Sequence, residues 1–447
     1  MADIEPPFKN GQGFLTLDQV DLTGKIAVIR LDLNSPVKDG ALIDDERIRA
    51  HAATVVEVHK RKPKAIILLS HQGRPGDEDF IPLKQHWRAL EKYADIEILY
   101  LWKDKPDEEI IAMGEEAVIS DSVMAVLKKL DNGQTILLEN TRLLPYEMEE
   151  KSVEEHAKSQ LVTRISSLGE IVFILDGFSV AHRPHCSVIG FAQWLTVAGR
   201  VMEKELKALT KAFLTPQEPV VMLTGGVKVS DSIKSIQNFI ERAQGKAFKV
   251  LTGGVVGEVF LAAAGVKMPH PVREFMRQKK ILEQIEPARL LLEKHRDAVG
   301  MPIDVAIDVG GRRVEVPVPE IEKHPDKMIK DIGGATAYMY AKDIIEARTI
   351  IGNGTMGVYK ESEFAHGQNT VLEAAGWAAK YKGATTLFGG GDTTASLRQQ
   401  LSGDLTREIF TSTSGKAFLM ALTSRRGPLE LAGVNVLLLQ RPSTVRR

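Results

Sequence analysis

A chain of 447 residues is longer than one hydrophobic core readily fills, so two domains are expected. Its 43% hydrophobic and 26% charged residues are ordinary for a globular protein, and a formal net charge of −1 gives no global field to draw in nucleic acid or an anionic membrane. One cysteine, Cys186, excludes an intramolecular disulfide and a Cys-rich metal centre; it reads as a small packing residue and suits a reducing compartment. No apolar run approaches the ~20 residues of a spanning helix, and the acidic start Met1-Ala-Asp-Ile-Glu lacks the apolar stretch of a secretory leader. A soluble, cytoplasmic protein is the expectation.

Along the chain, short apolar β-branched runs alternate with helical patterns. The runs Ile26–Leu31, Ala65–Leu69, Thr135–Leu138 and Ile171–Leu175 come first. Pro219–Leu223, Val250–Leu251, Ala347–Ile351 and Thr385–Phe388 follow. This alternation predicts an α/β protein with two doubly wound, Rossmann-like parallel sheets, whose ligands lie outside the carboxyl ends of the strands. Between the two sets, Arg200–Phe213 carries apolar residues at helical spacing and stops before Pro216, which reads as a connecting helix. The expected division is 1–199, a hinge at 200–215, a second domain at 216–434 and a tail at 435–447.

In the first half the segments after the strands are rich in Arg, His, Asp and Asn. They read Arg30-Leu-Asp32-Leu-Asn34, then Ser70-His71-Gln-Gly73-Arg74-Pro75, Glu139-Asn140-Thr-Arg142 and Asp176 to Arg183, with Arg47-Ile48 opening a helix. Arginine is the side chain that grips phosphate or carboxylate bidentately, and several at strand ends suit a small phosphorylated acid. Asp32 and Asn34 alternate with Leu31 and Leu33, so in a strand both would share one face. That pair suits recognition of a hydroxyl group, or is only a polar strand-to-loop cap.

In these motifs the chain resembles the phosphoglycerate kinases, whose D-x-N, R-I, S-H-x-G-R-P, E-N-x-R and A-H-R stand here in the same order. The details, such as Asn34-Ser-Pro36 and Arg47-Ile-Arg-Ala-His51, are archaeal in type. The resemblance implies that Asp32 and Asn34 hold the hydroxyl and carboxyl end of 3-phosphoglycerate. It implies that His71, Arg74, Arg142 and Arg183 hold its phosphate, with Arg47 beside the phosphoryl group in flight.

In the second half the segments after the strands are rich in glycine. Gly225-Gly226, Gly253-Gly254 and Gly389–Gly391 each lie between a strand and a helix, where backbone amides approach a phosphate. Lys228 supplies a cation, and Asp392 a carboxylate for Mg²⁺. The match G-x-G-x-x-G at Gly352–Gly357 lacks a distal acidic partner and is a decoy for NAD. By resemblance, Gly225, Gly226, Lys228, Gly253, Gly254, Asn353, Gly389, Gly390, Gly391, Asp392 and Thr393 would hold ATP or ADP. Departures from the family fall on this side. Ser412-Thr-Ser-Gly-Lys-Ala417 stands for S-T-G-G-G-A, so Gly415 remains for the transferring group while Ser414 and Lys416 either block it or, through Lys416, add a charge. The ribose acid is replaced by Lys360, with Glu361 one step later.

The acceptor implied is a carboxylate, already ionised at pH 7, so no general base is needed. Arg47, Lys228 and the Mg²⁺ at Asp392 would neutralise the phosphoryl oxygens while the two domains close over the hinge. The expectation is a monomeric phosphoglycerate kinase with small-molecule substrates and no nucleic-acid or membrane partner. A paralog with another donor or acceptor acid, or a silent metabolite-binding relative, stays open.

Overall fold

The computed structural model describes residues 13–243, 247–401 and 403–439. These form two compact units, one from the chain up to Lys207 together with the segment beginning at Leu429, the other Ala208–Pro428.

The first unit is built on a six-stranded sheet in the order Ile98–Leu99, Gln134–Leu137, Ala65–Leu69, Ile26–Arg30, Ile171–Leu175, Leu195–Ala198. All its pairings are parallel. The three central strands are buried along their whole length, which is why they read as continuous apolar runs without alternation. The chain leaves Ile26–Arg30 toward one edge and returns at Ile171–Leu175 on its other side. The crevice at this reversal is the place a doubly wound sheet offers a ligand.

The second unit repeats the plan, with strand order Val299–Gly300, Phe248–Thr252, Val220–Thr224, Thr349–Asn353, Thr385–Gly389, Phe410–Thr411, again parallel throughout. Here the reversal lies between Val220–Thr224 and Thr349–Asn353. A three-stranded antiparallel sheet, Arg312–Pro317, Asp304–Val309 and Ile329–Ile332, is added to it and was not expected from sequence. Its outer strand alternates little and is mostly exposed, so periodicity gave no signal.

Two boundaries differ from the sequence reading. The helix at 200 runs Arg200–Leu209 and continues as a π-helix, Thr210–Leu214, with the units dividing at Lys207. The second unit ends at Pro428, not 434, because the helix Ala432–Leu439 carries apolar Val434, Val436 and Leu437 that are buried against the first unit. There Gly433 N–H donates to the Ala181 carbonyl at 2.8 Å, so residues 435–439 are helix rather than tail. Residues 440–447, the rest of the expected tail, lie outside the described residues. No described helix is long and apolar enough to cross a membrane.

Candidate active site

In the first unit the expected residues converge at the carboxyl end of the sheet. The strand stops at Arg30, so Asp32 and Asn34 lie on an irregular segment and do not share a strand face. They turn to different partners. Asp32 Oδ2 receives Arg47 Nη1 at 2.8 Å and the Ser179 hydroxyl, which arrives from across the sheet reversal. Asn34 Oδ1 receives the Gly73 N–H at 2.9 Å and so fixes the Ser70–Pro75 turn. Gly73 has φ +61, and a Cβ there would sit 2.4 Å from the Asp79 backbone, so only glycine fits.

Burial pushes the Asp32 carboxyl up, yet the charge of Arg47 and the Ser179 hydrogen bond hold it well below the usual carboxylate range. His71 lies 3.7 Å from Asp32 Oδ1 but is kept neutral, its pKa driven far down by burial and by Arg30. Arg47 is therefore the partner that keeps Asp32 ionised.

Around them stands a cluster of arginines with little counter-charge. Arg142 is 6% exposed and donates from Nη1 to the Gly73 carbonyl, while its Nε–H is buried without a partner. Arg183 Nη1 is likewise buried and unpartnered. Burial first, then Arg183, Arg30 and Arg74, push the Arg142 pKa down to about 10, which leaves it charged at neutral pH. Arg74 is exposed at the same edge. Buried guanidinium N–H groups rarely go unpaired, and an anion with several oxygens satisfies them.

Sequence reasoning counts Arg30 among the strand-end arginines but gives it no role of its own. It is 1% exposed, donates from Nε to Ser187 at 2.6 Å and lies 4.0 Å from Glu147. Missed altogether was the pair of His51 Nδ1 and Asp176 Oδ2 at 2.5 Å, which ties the helix Glu46–Lys60 carrying Arg47 to the neighbouring strand end. Asn140 of the E-N motif is scaffold. Its Nδ2 donates to the Gln72 carbonyl at 2.7 Å, and its Oδ1 accepts from Arg142 N at 3.1 Å.

In the second unit the glycine turns interlock at the sheet reversal. Gly225 N–H donates to the Asn353 carbonyl at 3.0 Å, Gly226 N–H to the Thr355 carbonyl at 2.8 Å and Gly254 N–H to the Met356 carbonyl at 2.7 Å. Gly354 has φ +87, and a Cβ there would lie 2.1 Å from Gly225 O. The helices Val229–Arg242, Gly254–Ala263 and Gly391–Gln400 begin at Lys228, Gly253 and Gly390 with no side-chain cap; Gly254 N–H is taken by Met356, while the first amides of the other two helices remain open to an anion. Lys228 and Lys416 are exposed at helix starts. Thr393 is turned inward, its Oγ1 accepting from Gly354 N at 2.8 Å, so it shapes the turn.

The altered positions have definite fates. Ser414 does not block the turn: it is 4% exposed and its Oγ caps the helix Gly415–Thr423 by accepting from Ala417 N at 3.1 Å. Glu361 is engaged by Lys330 at 2.7 Å, and Lys360 Nζ lies 3.8 Å from Asp392 Oδ1. Asp392, 72% exposed in the first turn of its helix, is a single oxygen donor, and no described cluster of three metal-ligating side chains exists. Such a site fits Mg²⁺ carried chiefly by nucleotide phosphates and not by a protein cage.

Beneath the turns lies a largely apolar cleft, lined among others by Gly226, Gly254, Phe275, Ile332, Thr355 and Val358. Its place at the sheet reversal, beside open helix N-termini, is that of a nucleotide site in a doubly wound sheet.

The family model for phosphoglycerate kinase matches residues 17–425. The chain belongs to the phosphoglycerate kinase family. It is 35% identical over 424 residues to the phosphoglycerate kinase of Saccharolobus solfataricus, covering 94% of this chain and 97% of the relative. It is 36% identical to that of Methanothermobacter thermautotrophicus, covering 86% and 88%. Among solved structures, phosphoglycerate kinase from Pyrococcus horikoshii matches 95% of this chain and all of its own, with 30% identity and a TM-score of 0.77. The resemblance read from the motifs and the two-sheet α/β architecture are thus both those of the phosphoglycerate kinases, an enzyme family of phosphotransferases.

Proposed function

We propose that this chain catalyses reversible phosphoryl transfer between ATP and the carboxylate of 3-phosphoglycerate, giving ADP and 1,3-bisphosphoglycerate. The observation that carries the acceptor half is the pair of buried, unpartnered N–H groups on Arg142 and Arg183 inside an arginine cluster. That cluster is short of negative charge, and a phosphate monoester supplies it.

In this reading Arg142, Arg183, Arg74 and neutral His71 hold the non-transferred phosphate, and Asp32 accepts from the substrate hydroxyl. The acceptor carboxylate needs no base, so its oxygen attacks the γ-phosphorus as the bond to the ADP oxygen breaks. Arg47 and Lys228 neutralise oxygens of the group in flight, and the open amides of the Gly391–Gln400 helix hold the nucleotide phosphates. Mg²⁺ at Asp392 would supply further positive charge to those phosphates. Bringing donor and acceptor together is assigned to the connecting stretch around Arg200–Leu214. The enzyme is read as a cytoplasmic monomer acting on small molecules, with no nucleic-acid or membrane partner.

A paralog using another donor is suggested by the altered ribose position, Lys360, and by the glycine-loop changes at Ser414 and Lys416; of these the Ser414 side chain is spent on capping. The test is ADP-forming turnover of 3-phosphoglycerate with Mg·ATP, with removal of the acyl phosphate. Activity far above a Lys228→Ala control is expected. Binding of 3-phosphoglycerate without turnover would overturn the kinase reading.

A further inference from the structure

One charged side chain in the cleft of the second unit has no use in the scheme above. Glu258 sits on the helix Gly254–Ala263, on the face that also presents Gly254, Val255 and Leu261 to the cleft. It is 5% exposed, and its Oε2 is buried without a hydrogen-bond partner. The other charged residues lining the cleft are committed. Lys330 is paired with Asp308 at 2.8 Å and Glu361 at 2.7 Å, and Asp331 with Arg313 at 2.8 Å. The helices packed against that of Glu258, Val229–Arg242 and Ile285–His295, bury only uncharged side chains. A carboxyl group kept this dry, with no cation beside it, is a neutral acid that both donates and accepts.

We propose that Glu258 reads the base of the nucleotide, its O–H donating to the adenine ring nitrogen N1 while its carbonyl oxygen accepts from the N6 amine. This rests on the reading of the cleft as the nucleotide's base pocket. Adenine offers the adjacent acceptor and donor that a carboxylic acid matches, and an unmatched acid left in a dry cleft would penalise a base that lacks them. Burial alone pushes the Glu258 pKa up to about 8. Above it the carboxylate loses the proton it gives to N1 and faces that nitrogen's lone pair. Guanine behaves oppositely, because its N1–H and N2 amine both donate to a carboxylate.

The experiment is calorimetric titration of Mg·ADP and Mg·GDP into the full chain at about pH 6.5 and about pH 9, so that phosphate ionisation cancels in the affinity ratio. The ADP-to-GDP ratio is expected to fall by about tenfold across that span. Glu258→Gln, which donates and accepts at every pH, should keep ADP affinity and abolish the change. Glu258→Leu should weaken ADP and abolish it as well. A ratio that holds constant with pH in the wild type, or that still changes in Glu258→Gln, overturns the inference and leaves the kinase reading standing. Failure of the wild type to bind either nucleotide overturns that reading and this inference together.

Discussion

Arg47 donates from one nitrogen to Asp32 Oδ2 at 2.8 Å and to the Asn34 carbonyl at 3.1 Å, while 39% of its side chain stays exposed. A single guanidinium thus keeps Asp32 ionised and still offers its remaining N–H groups to solvent or substrate. Arg47→Ala should lower kcat/KM by ~10²–10³, the ~2.7–4 kcal/mol typical of losing one donor to a developing charge. The melting temperature should fall as well, since Asp32 is buried and loses the cation that keeps it ionised. Steady-state kinetics beside a thermal melt separates the two; unchanged turnover would remove Arg47 from the mechanism.

Arg183→Ala should act on binding. Losing a charged hydrogen-bond donor to phosphate costs roughly 1.5–3 kcal/mol, about 10- to 150-fold in KM for 3-phosphoglycerate. The free protein should be little destabilised, because burial and the neighbouring Arg74 and Arg47, which lower the Arg183 pKa, outweigh the attraction of Asp32. The thermal upshift that 3-phosphoglycerate gives the wild type should shrink correspondingly. A large fall in kcat at unchanged KM would place Arg183 elsewhere in the reaction.

His86 provides a pH signature of stability. It is fully buried, bonded through Nε2 to Gln72 at 2.9 Å, and burial pushes its pKa down to about 4. Between about pH 4 and 6.5 the unfolded chain carries a proton there that the folded chain does not. Stability is therefore complete above about pH 6.5 and falls as pH drops toward about 4, by at most roughly 3 kcal/mol. His185, pushed down to about 3 by burial and then Arg183, adds to the same slope. Urea denaturation across that range should show the decline, and His86→Gln should flatten it.

Lys360 stands 3.8 Å from Asp392, with both side chains about seventy percent exposed. Its ammonium competes with a divalent cation for that carboxylate. Lys360→Ala should lower the Mg²⁺ concentration for half-maximal activity by about two- to threefold, and more at low salt, as an exposed charge pair allows. A magnesium titration at two ionic strengths checks this, and a shift toward higher Mg²⁺ would contradict it.

Ser414 is a helix cap and not a barrier. Ser414→Ala should cost ~1 kcal/mol of stability and Ser414→Gly only a few tenths, because glycine is itself tolerated at an N-cap. Neither should raise turnover. A marked gain on introducing glycine would mean that the hydroxyl obstructs transfer after all.

Much of this was legible in the sequence. Strands buried on both faces appear as unbroken apolar runs, and Ile26–Arg30 and Ala65–Leu69 were visible to within a residue. Side chains that follow such strands must gather at one sheet edge, which marks Asp32, His71, Arg142 and Arg183 as neighbours from the sequence alone. Motif order carried the family itself. Tertiary structure alone decided what each polar group is used for, because hydrogen-bond partners come from residues far apart in the chain. Asn34 proved to be a brace for Gly73, Ser414 a cap and Thr393 a prop for Gly354, while Arg30 joined the arginine cluster. The last helix, Ala432–Leu439, is divided in the sequence between the second domain and a tail, because its apolar face fits either core in principle, and only packing against Ala181 shows which. Glu258 makes the same point: its spacing marks a helix face, but only the cleft around it leaves its carboxyl dry and without a cation.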